Sequence, residues 1–456
     1  MMFSPKEVHL RISVLICVLF LPVSPPAHAQ WLETTINLND SFPFALCYNT
    51  AYNKVYSASA TSGFVTVISG ATNALIKLVP VGSYPWDICY NATTIRVYCA
   101  NSGSNDVTVI SGVTDEAIAT VTAGDCPYVL CFNPANNKVY CANYYGNSVT
   151  VIDGGSNQVL ATVPVGDRPR SLCYNSRNNK VYCANEASIN MTVIDGATNG
   201  VVATVDVGYS PCAVCYNQLG NKVYCANWGS NSVTVVDGAS NQVVATVDVG
   251  YEPWALCYNP WDNKAYCANY ISGDVTVIDG ATDQVLATVA AGDHPCALCY
   301  NPTSNKVFCA NYYSADVTVI DGATDQALRS IIVGDQPVDF CHNPVQNRVY
   351  VANYLIRSIS VLRDTAEGIE DEATTFRNRP NDATIVHNTL AVGREGQDAI
   401  TQPSHALFDV NGRRSLNLRA GLNDIGSLPP GVYFIREGLG TRGEGLVETR
   451  KVVIAR

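Results

Sequence analysis

Charge is scarce in this chain of 456 residues: Asp, Glu, Lys and Arg together make up 15% of it, where about a quarter is usual. What charge there is leans acidic, 39 carboxylates against 28 cations, for a formal net charge of −11. An acidic surface repels phosphate backbones, which excludes nucleic acid as an expected partner. No segment after residue 29 is long and apolar enough for a membrane helix, so no transmembrane segment is expected once a leader is removed. No run shows the three-to-four spacing of an amphipathic helix, which excludes helical repeats. A Gly-rich phosphate loop, a nucleophile elbow and a metal motif are also missing. Neither a cofactor nor a metal is therefore expected.

What is present begins with a processing segment. Residues 1–29 carry Lys6 and Arg11, then the apolar run Ile12 to Val23, then Ala27-His28-Ala29 as a small-x-small cleavage site. The pattern predicts a signal peptide and an exported chain starting near Gln30; a run of that length is short for an uncleaved anchor. Its removal takes away Lys6, Arg11 and Glu7 and moves the net charge to about −12.

Then a motif recurs every 42 residues without drift, beginning at Cys47, Cys89, Cys131, Cys173, Cys215, Cys257, Cys299 and Cys341. A strict period of this kind means stacked copies of one supersecondary unit. In the third copy, Tyr128–Phe132, Lys138–Ala142, Ser148–Ile152 and Gln158–Val165 read as strands a, b, c and d. Val, Ile, Thr and Tyr dominate them, and Asn133-Pro134 and Asp153-Gly154 supply turns. Four short strands per ~40–45 residues make a propeller blade. Trp31–Leu38 matches strand d, and the eighth unit lacks a strand d of its own. Pairing the first strand with the last unit closes the ring and leaves no open edge. The expected fold class is all-β: an eight-bladed β-propeller over 30–363, with seven blades as the alternative.

Copies such as YNPxxNKVY(C)AN, (S/D)VTVIDGATxxV and ATVxVGxxP resemble the YVTN-type, YncE-like propeller repeats of secreted and surface-layer proteins. The resemblance spans residues 31 to about 363, with cysteine where the family usually has a small aliphatic residue.

Past Leu362 the repeat stops. Residues 364–384 read as a solvated linker, and 385–456 as a small β unit, a β-sandwich, with runs at Thr389–Val392, Ala406–Val410, Ser415–Leu418, Val432–Arg436 and Lys451–Ile454. Asp409, Gly412 and Arg413, then Gly431, Val432 and Tyr433, and finally Lys451 resemble the sorting domain of the type IX secretion pathway. That resemblance implies secretion machinery as a partner, and the surface or surroundings of a Gram-negative-type bacterium as the location. An ordinary accessory sandwich is the other reading.

Outside the leader there are seventeen cysteines, and six units carry a pair ten residues apart, such as Cys131/Cys141. An exported protein suits disulfides. If Asn133 and Lys138 close a four-residue loop, however, the two sulfurs point to opposite faces, and only a register one residue different aligns them. Both states stay open from sequence.

Function is sought where the copies disagree. The proline before strand a is constant, yet its neighbours include Phe42, Phe44, Tyr84, Trp86, Tyr128, Arg168, Arg170, Glu252, Trp254 and His294. Loops b–c emerge on the same end and carry Tyr144, Trp228, Tyr270, Tyr312 and Tyr354. Drift at a solvated loop is the bland explanation. Exposed aromatic faces suit carbohydrate, peptide or an extended polymer. The expectation is a non-enzymatic exported propeller that binds a polymer or partner protein. A surface-layer spacer without a ligand is one alternative. A lyase- or hydrolase-like site at the channel mouth, using His294, Glu252 and Arg168, is another.

Overall fold

β-Branched and aromatic runs separated by Asn- and Gly-rich turns fold here as antiparallel sheets. The computed structural model describes residues 30–38 and 41–364, followed by seven strands between residues 384 and 454. Residues 30–364 form eight four-stranded sheets. In the third, the strands are Pro127–Asn133 (a), Lys138–Asn143 (b), Ser148–Asp153 (c) and Val159–Pro164 (d). The a strands of successive blades lie side by side around the axis, and d strands form the outer rim.

The ring closes as its ends predicted. Gln30–Asn37 pairs antiparallel with Ser358–Asp364, completing a sheet whose other members are Arg348–Asn353 and Pro337–Asn343. The blade count is eight. A bulge between Leu32 and Thr34 sets Glu33 out of register, and its carboxylate accepts a 2.7 Å hydrogen bond from Arg348 Nε. Asp364, one residue past the expected end of the array, still belongs to the last strand and is buried.

Each sheet is buried on both faces, because each packs between two neighbours. Tyr98, Ala100, Val107 and Val109 of the second blade meet Leu130, Val139, Cys141 and Ile152 of the third. Latches between blades explain much of the strict wording of the repeat. Lys138 Nζ donates to Gly196 O (2.7 Å) and Asn199 Oδ1 (2.8 Å) in the next blade's c–d turn, and Asn133 Nδ2 donates to Asn179 Oδ1 (2.8 Å). The buried Tyr98, Tyr182, Tyr224 and Tyr266 hydroxyls likewise donate to an Asn or Asp of the next c–d turn. Phe308 takes that position only where the next blade has no such turn, so no hydroxyl is left without its partner. Turn geometry was the expected duty of Asn133 and the Asp-Gly turns, and inter-blade bonding is a second one.

The register decides the cysteine question. Cys131 faces Tyr140 and Cys141 faces Leu130, and the same offset recurs from Cys89/Cys99 to Cys299/Cys309. The disulfide alternative fails because the paired residues point to opposite sides of their sheet. All seventeen cysteines described are free thiols. Burial pushes them up, Cys131 and Cys215 to about 12, so they behave as inert apolar side chains. Titration in denaturant without reductant should find all seventeen, and reductant should leave the melting temperature unchanged. A fall in melting temperature on reduction would contradict this assignment.

The chain divides into two compact units, Met1–Ile369 and Glu370–Arg456. The second contains a three-stranded sheet (Thr384–Val386, Thr389–Val392, Gly421–Asp424) and a four-stranded one (Arg414–Leu418, His405–Asp409, Gly431–Glu437, Thr449–Ile454). Its register sets Asp409 opposite Tyr433 and Lys451 opposite Phe434, with Gly431 at the start of a strand. Gly412 and Arg413, the leader 1–29, and 365–383 of the linker lie outside the described residues.

Candidate functional site

One end of the ring is built from loops d–a and b–c, and a repeated backbone bond holds them together. The first residue of each b–c loop donates its N–H to the carbonyl of the residue before the conserved proline: Tyr144 to Cys126 (2.8 Å), Tyr270 to Glu252 (2.9 Å), Tyr312 to His294 (2.9 Å), Tyr354 to Gln336 (2.9 Å). That bond brings the variable side chains of both loops to one rim. In seven blades the pre-proline residue has positive φ, from 52° at Tyr84 to 59° at His294. Glycine is the residue with least strain there. None of the seven is glycine. Cys126, Ser210 and Gln336 keep the same positive φ, so the turn belongs to the repeat and what varies is the side chain it presents.

The rings form two arcs. In the first, Phe44 packs on Trp86 with centroids 4.2 Å apart and edge-on to Tyr354 at 6.1 Å. Trp86 continues to Tyr128 (5.3 Å), and Tyr128 to Tyr144 (5.1 Å). In the second, Trp254 meets Tyr270 (5.2 Å), Tyr270 meets His294 (4.4 Å), and His294 meets Tyr313 (4.6 Å), which lies against Tyr312. These are tilted or edge-to-face contacts at ordinary aromatic distances. Arg170 joins the arcs. Its guanidinium lies 4.5 Å from the Trp254 ring centroid, two blades away, and pairs with Glu186 at 3.3 Å. The second oxygen of Glu186 accepts from the Tyr144 hydroxyl at 2.8 Å. Burial and the Glu186 carboxylate push the Tyr144 phenol up to about 12, so it stays a donor. The span is possible because the intervening blade puts the small, buried Cys212 at the corresponding position. Arg168 stands over Tyr144 at 5.9 Å.

Not every expected residue joins. Tyr84 is on this end but more than half exposed, and makes no ring contact among the described residues. Trp228 packs inward against the core of its own blade pair, its indole N–H buried without a partner. His294 Nδ1 lies 2.6 Å from Asp293 Oδ1, so its carboxylate partner is its own neighbour and not Glu252. Two lone aromatics, Tyr52 and Trp261, are exposed on the a–b turns at the opposite end.

Several participants escaped sequence reasoning. Tyr145 and Tyr313 follow residues that were picked, and the doubled tyrosine was the available signal. Glu186 was missed because its loop breaks the aromatic pattern. Asp87 and Asp339 were missed although a carboxylate at a position that is Ala in four copies was visible. Each lies on an a strand and accepts a 2.7 Å bond from the next blade, Asp87 from Leu130 N–H and Asp339 from Leu46 N–H. Burial raises both carboxyls, Asp87 to about 6 and Asp339 to about 7, with repulsion from Asp87 adding to the second. Stability is therefore lost as pH rises from the ordinary value of 3.8 through these raised values, and levels off above them.

No group of three or more His, Cys, Asp or Glu among the described residues could hold a metal ion. Comparison with protein families and with curated proteins finds no match. Among solved structures, the chain is similar to hydrazine synthase of Kuenenia stuttgartiensis, at 21% identity and a TM-score of 0.52, over 63% of this chain and 97% of that one. It is also similar to Sqt1 of Saccharomyces cerevisiae, at 12% identity and a TM-score of 0.66, over 74% of this chain and 99% of that one. At such identities the likeness is one of fold.

Proposed function

We propose that this chain is an exported, non-enzymatic binding propeller of the YVTN type that holds a polymer, carbohydrate or surface component, or a partner protein, on its aromatic end. The observation that carries the reading is the continuous path from Tyr354 through Phe44, Trp86, Tyr128, Tyr144, Glu186 and Arg170 to Trp254 and Tyr270. Partly buried rings that brace one another in a row offer a preformed aromatic surface without moving parts. The C-terminal unit is read as a type IX sorting domain and residues 1–29 as its export leader, which together place the ring at or outside the cell surface.

The mature chain and a Trp86→Ala/Tyr128→Ala/Trp254→Ala variant should be compared on glycan and peptide arrays. Central aromatic anchors cost roughly 2 kcal/mol or more each when truncated, about thirty-fold in affinity. The triple variant should lose its ligand while melting as the parent does. Equal array signals from both proteins would favour a spacer, and turnover that is lost in His294→Ala would favour the enzyme.

A further inference from the structure

The end that gathers the rings also gathers carboxylates. Its described loops carry Asp125, Asp167, Glu186, Glu252, Asp293 and Asp335, against Arg168, Arg357 and, on a neighbouring a strand, Arg170, which already pairs with Glu186, and no lysine. The opposite end carries carboxylates too, such as Asp153, Asp195, Asp237 and Asp279 at the ends of c strands, but there a Lys or Arg begins strand b of every blade. Lysines there are drawn into the neighbouring blade, as when Lys222 meets Asp283 at 2.7 Å and Lys264 meets Asp325 at 2.8 Å. One step further into the a strands than Trp86 and Val338 stand Asp87 and Asp339.

The rings themselves show what they accept. Arg170 covers Trp254 at 4.5 Å, Arg168 covers Tyr144 at 5.9 Å, and Arg357 covers Phe42 at 4.2 Å. These are guanidinium groups seated on ring faces at cation–π distance. Among the described residues no cation lies over Trp86, which is flanked by Phe44 and Tyr128, or over Tyr84, the more exposed ring two residues before it. An aromatic face with a negative rim attracts cations twice over, through the ring quadrupole and through the carboxylates, and repels acidic polysaccharide and phosphate.

We propose that the occupant of this end is a basic polypeptide segment, extended and bearing Arg or Lys, with its cations against the rings that carry none, Tyr84 and the open side of Trp86, and answered by Asp87, Asp339 and the rim carboxylates. The inference rests on the binding function proposed above and narrows its ligand to one class.

Fluorescence anisotropy of the mature chain with labelled Arg/Gly, Glu/Gly and neutral peptides, beside a neutral glycan array, tests it. The Arg/Gly peptide should bind and weaken with salt. Affinity should fall about thirty-fold in Trp86→Ala and about tenfold in Asp87→Asn/Asp339→Asn, the asparagines keeping an acceptor for Leu130 and Leu46. Trp261→Ala, at the other end, should change nothing. Asp125→Lys/Asp335→Lys alters only exposed loop residues and should weaken binding even where a buried substitution disturbs folding. Arg/Gly binding that ignores Trp86→Ala is mere adhesion to an acidic surface and overturns the proposal. A neutral glycan lost in Trp86→Ala but indifferent to all the charge variants also overturns it, while leaving the binding function intact. If no ligand of any class responds to Trp86→Ala, both fail.

Discussion

Asp364→Ala should be among the most destabilising single substitutions in the ring. Asp364 stands where the closing blade lacks the c–d turn that serves as the latch in other blades. Its Oδ1 accepts from Lys306 Nζ at 2.6 Å and from Gln30 Nε2 at 3.1 Å, and its Oδ2 from Asn301 Nδ2 at 2.8 Å and from the Ser304 hydroxyl. Lys306 and Asp364 are each 1% exposed. Removing one partner of a buried pair leaves the other charge uncompensated, which costs about 3–5 kcal/mol, a large part of the ~5–15 kcal/mol that holds a typical domain together. Denaturant unfolding of the single and double variants measures it. Lys306→Met/Asp364→Ala should recover most of the loss, since a packed apolar pair often replaces a buried ion pair without penalty. A single variant within ~1 kcal/mol of the parent would show that water reaches this pair.

Removing Gln30–Asn37 should be worse still. Those residues supply the outer strand of the closing blade, and Ile36 and Leu38 belong to the apolar cluster that joins the eighth blade to the first. Without them Ser358–Asp364 becomes an open edge, Arg348 loses Glu33, and Asp364 loses Gln30. A chain starting at Ser41 should fail to give a soluble monomer on size exclusion. Adding a peptide of residues 30–38 in trans should rescue part of it by mass action. A truncated chain that stays monomeric and melts within a few degrees of the parent would show that the ring is held by its inter-blade faces alone.

Some of this was legible in advance. Each strand of a blade carries its signature locally, in β-branched runs punctuated by Asn-Pro and Asp-Gly, so a and d strands could be placed to within a residue or two. The matching of Trp31–Leu38 to strand d exposed the closure, because a repeat that starts with its last element must finish on its first. The rim could be located too, since strand alternation sends loops d–a and b–c to the same end. Partners one or two blades away were not legible. Nothing near Arg170 in sequence points to Trp254, and nothing in the linker-like surroundings of Asp364 marks it as a buried anchor. Tyr84 and Trp228 belong to the same pattern as Trp86 and Tyr144, yet one projects to solvent and the other turns into the core.

The sequence by itself determined the blade, the number of blades and the strand that closes them, because a 42-residue period encodes local pairing and each copy confirms the rest. Tertiary structure alone decided which aromatics touch, which charges are buried and that the cysteines stay apart. Those outcomes depend on register and on the curvature of the ring, which bring together residues 58 to 84 positions apart in sequence.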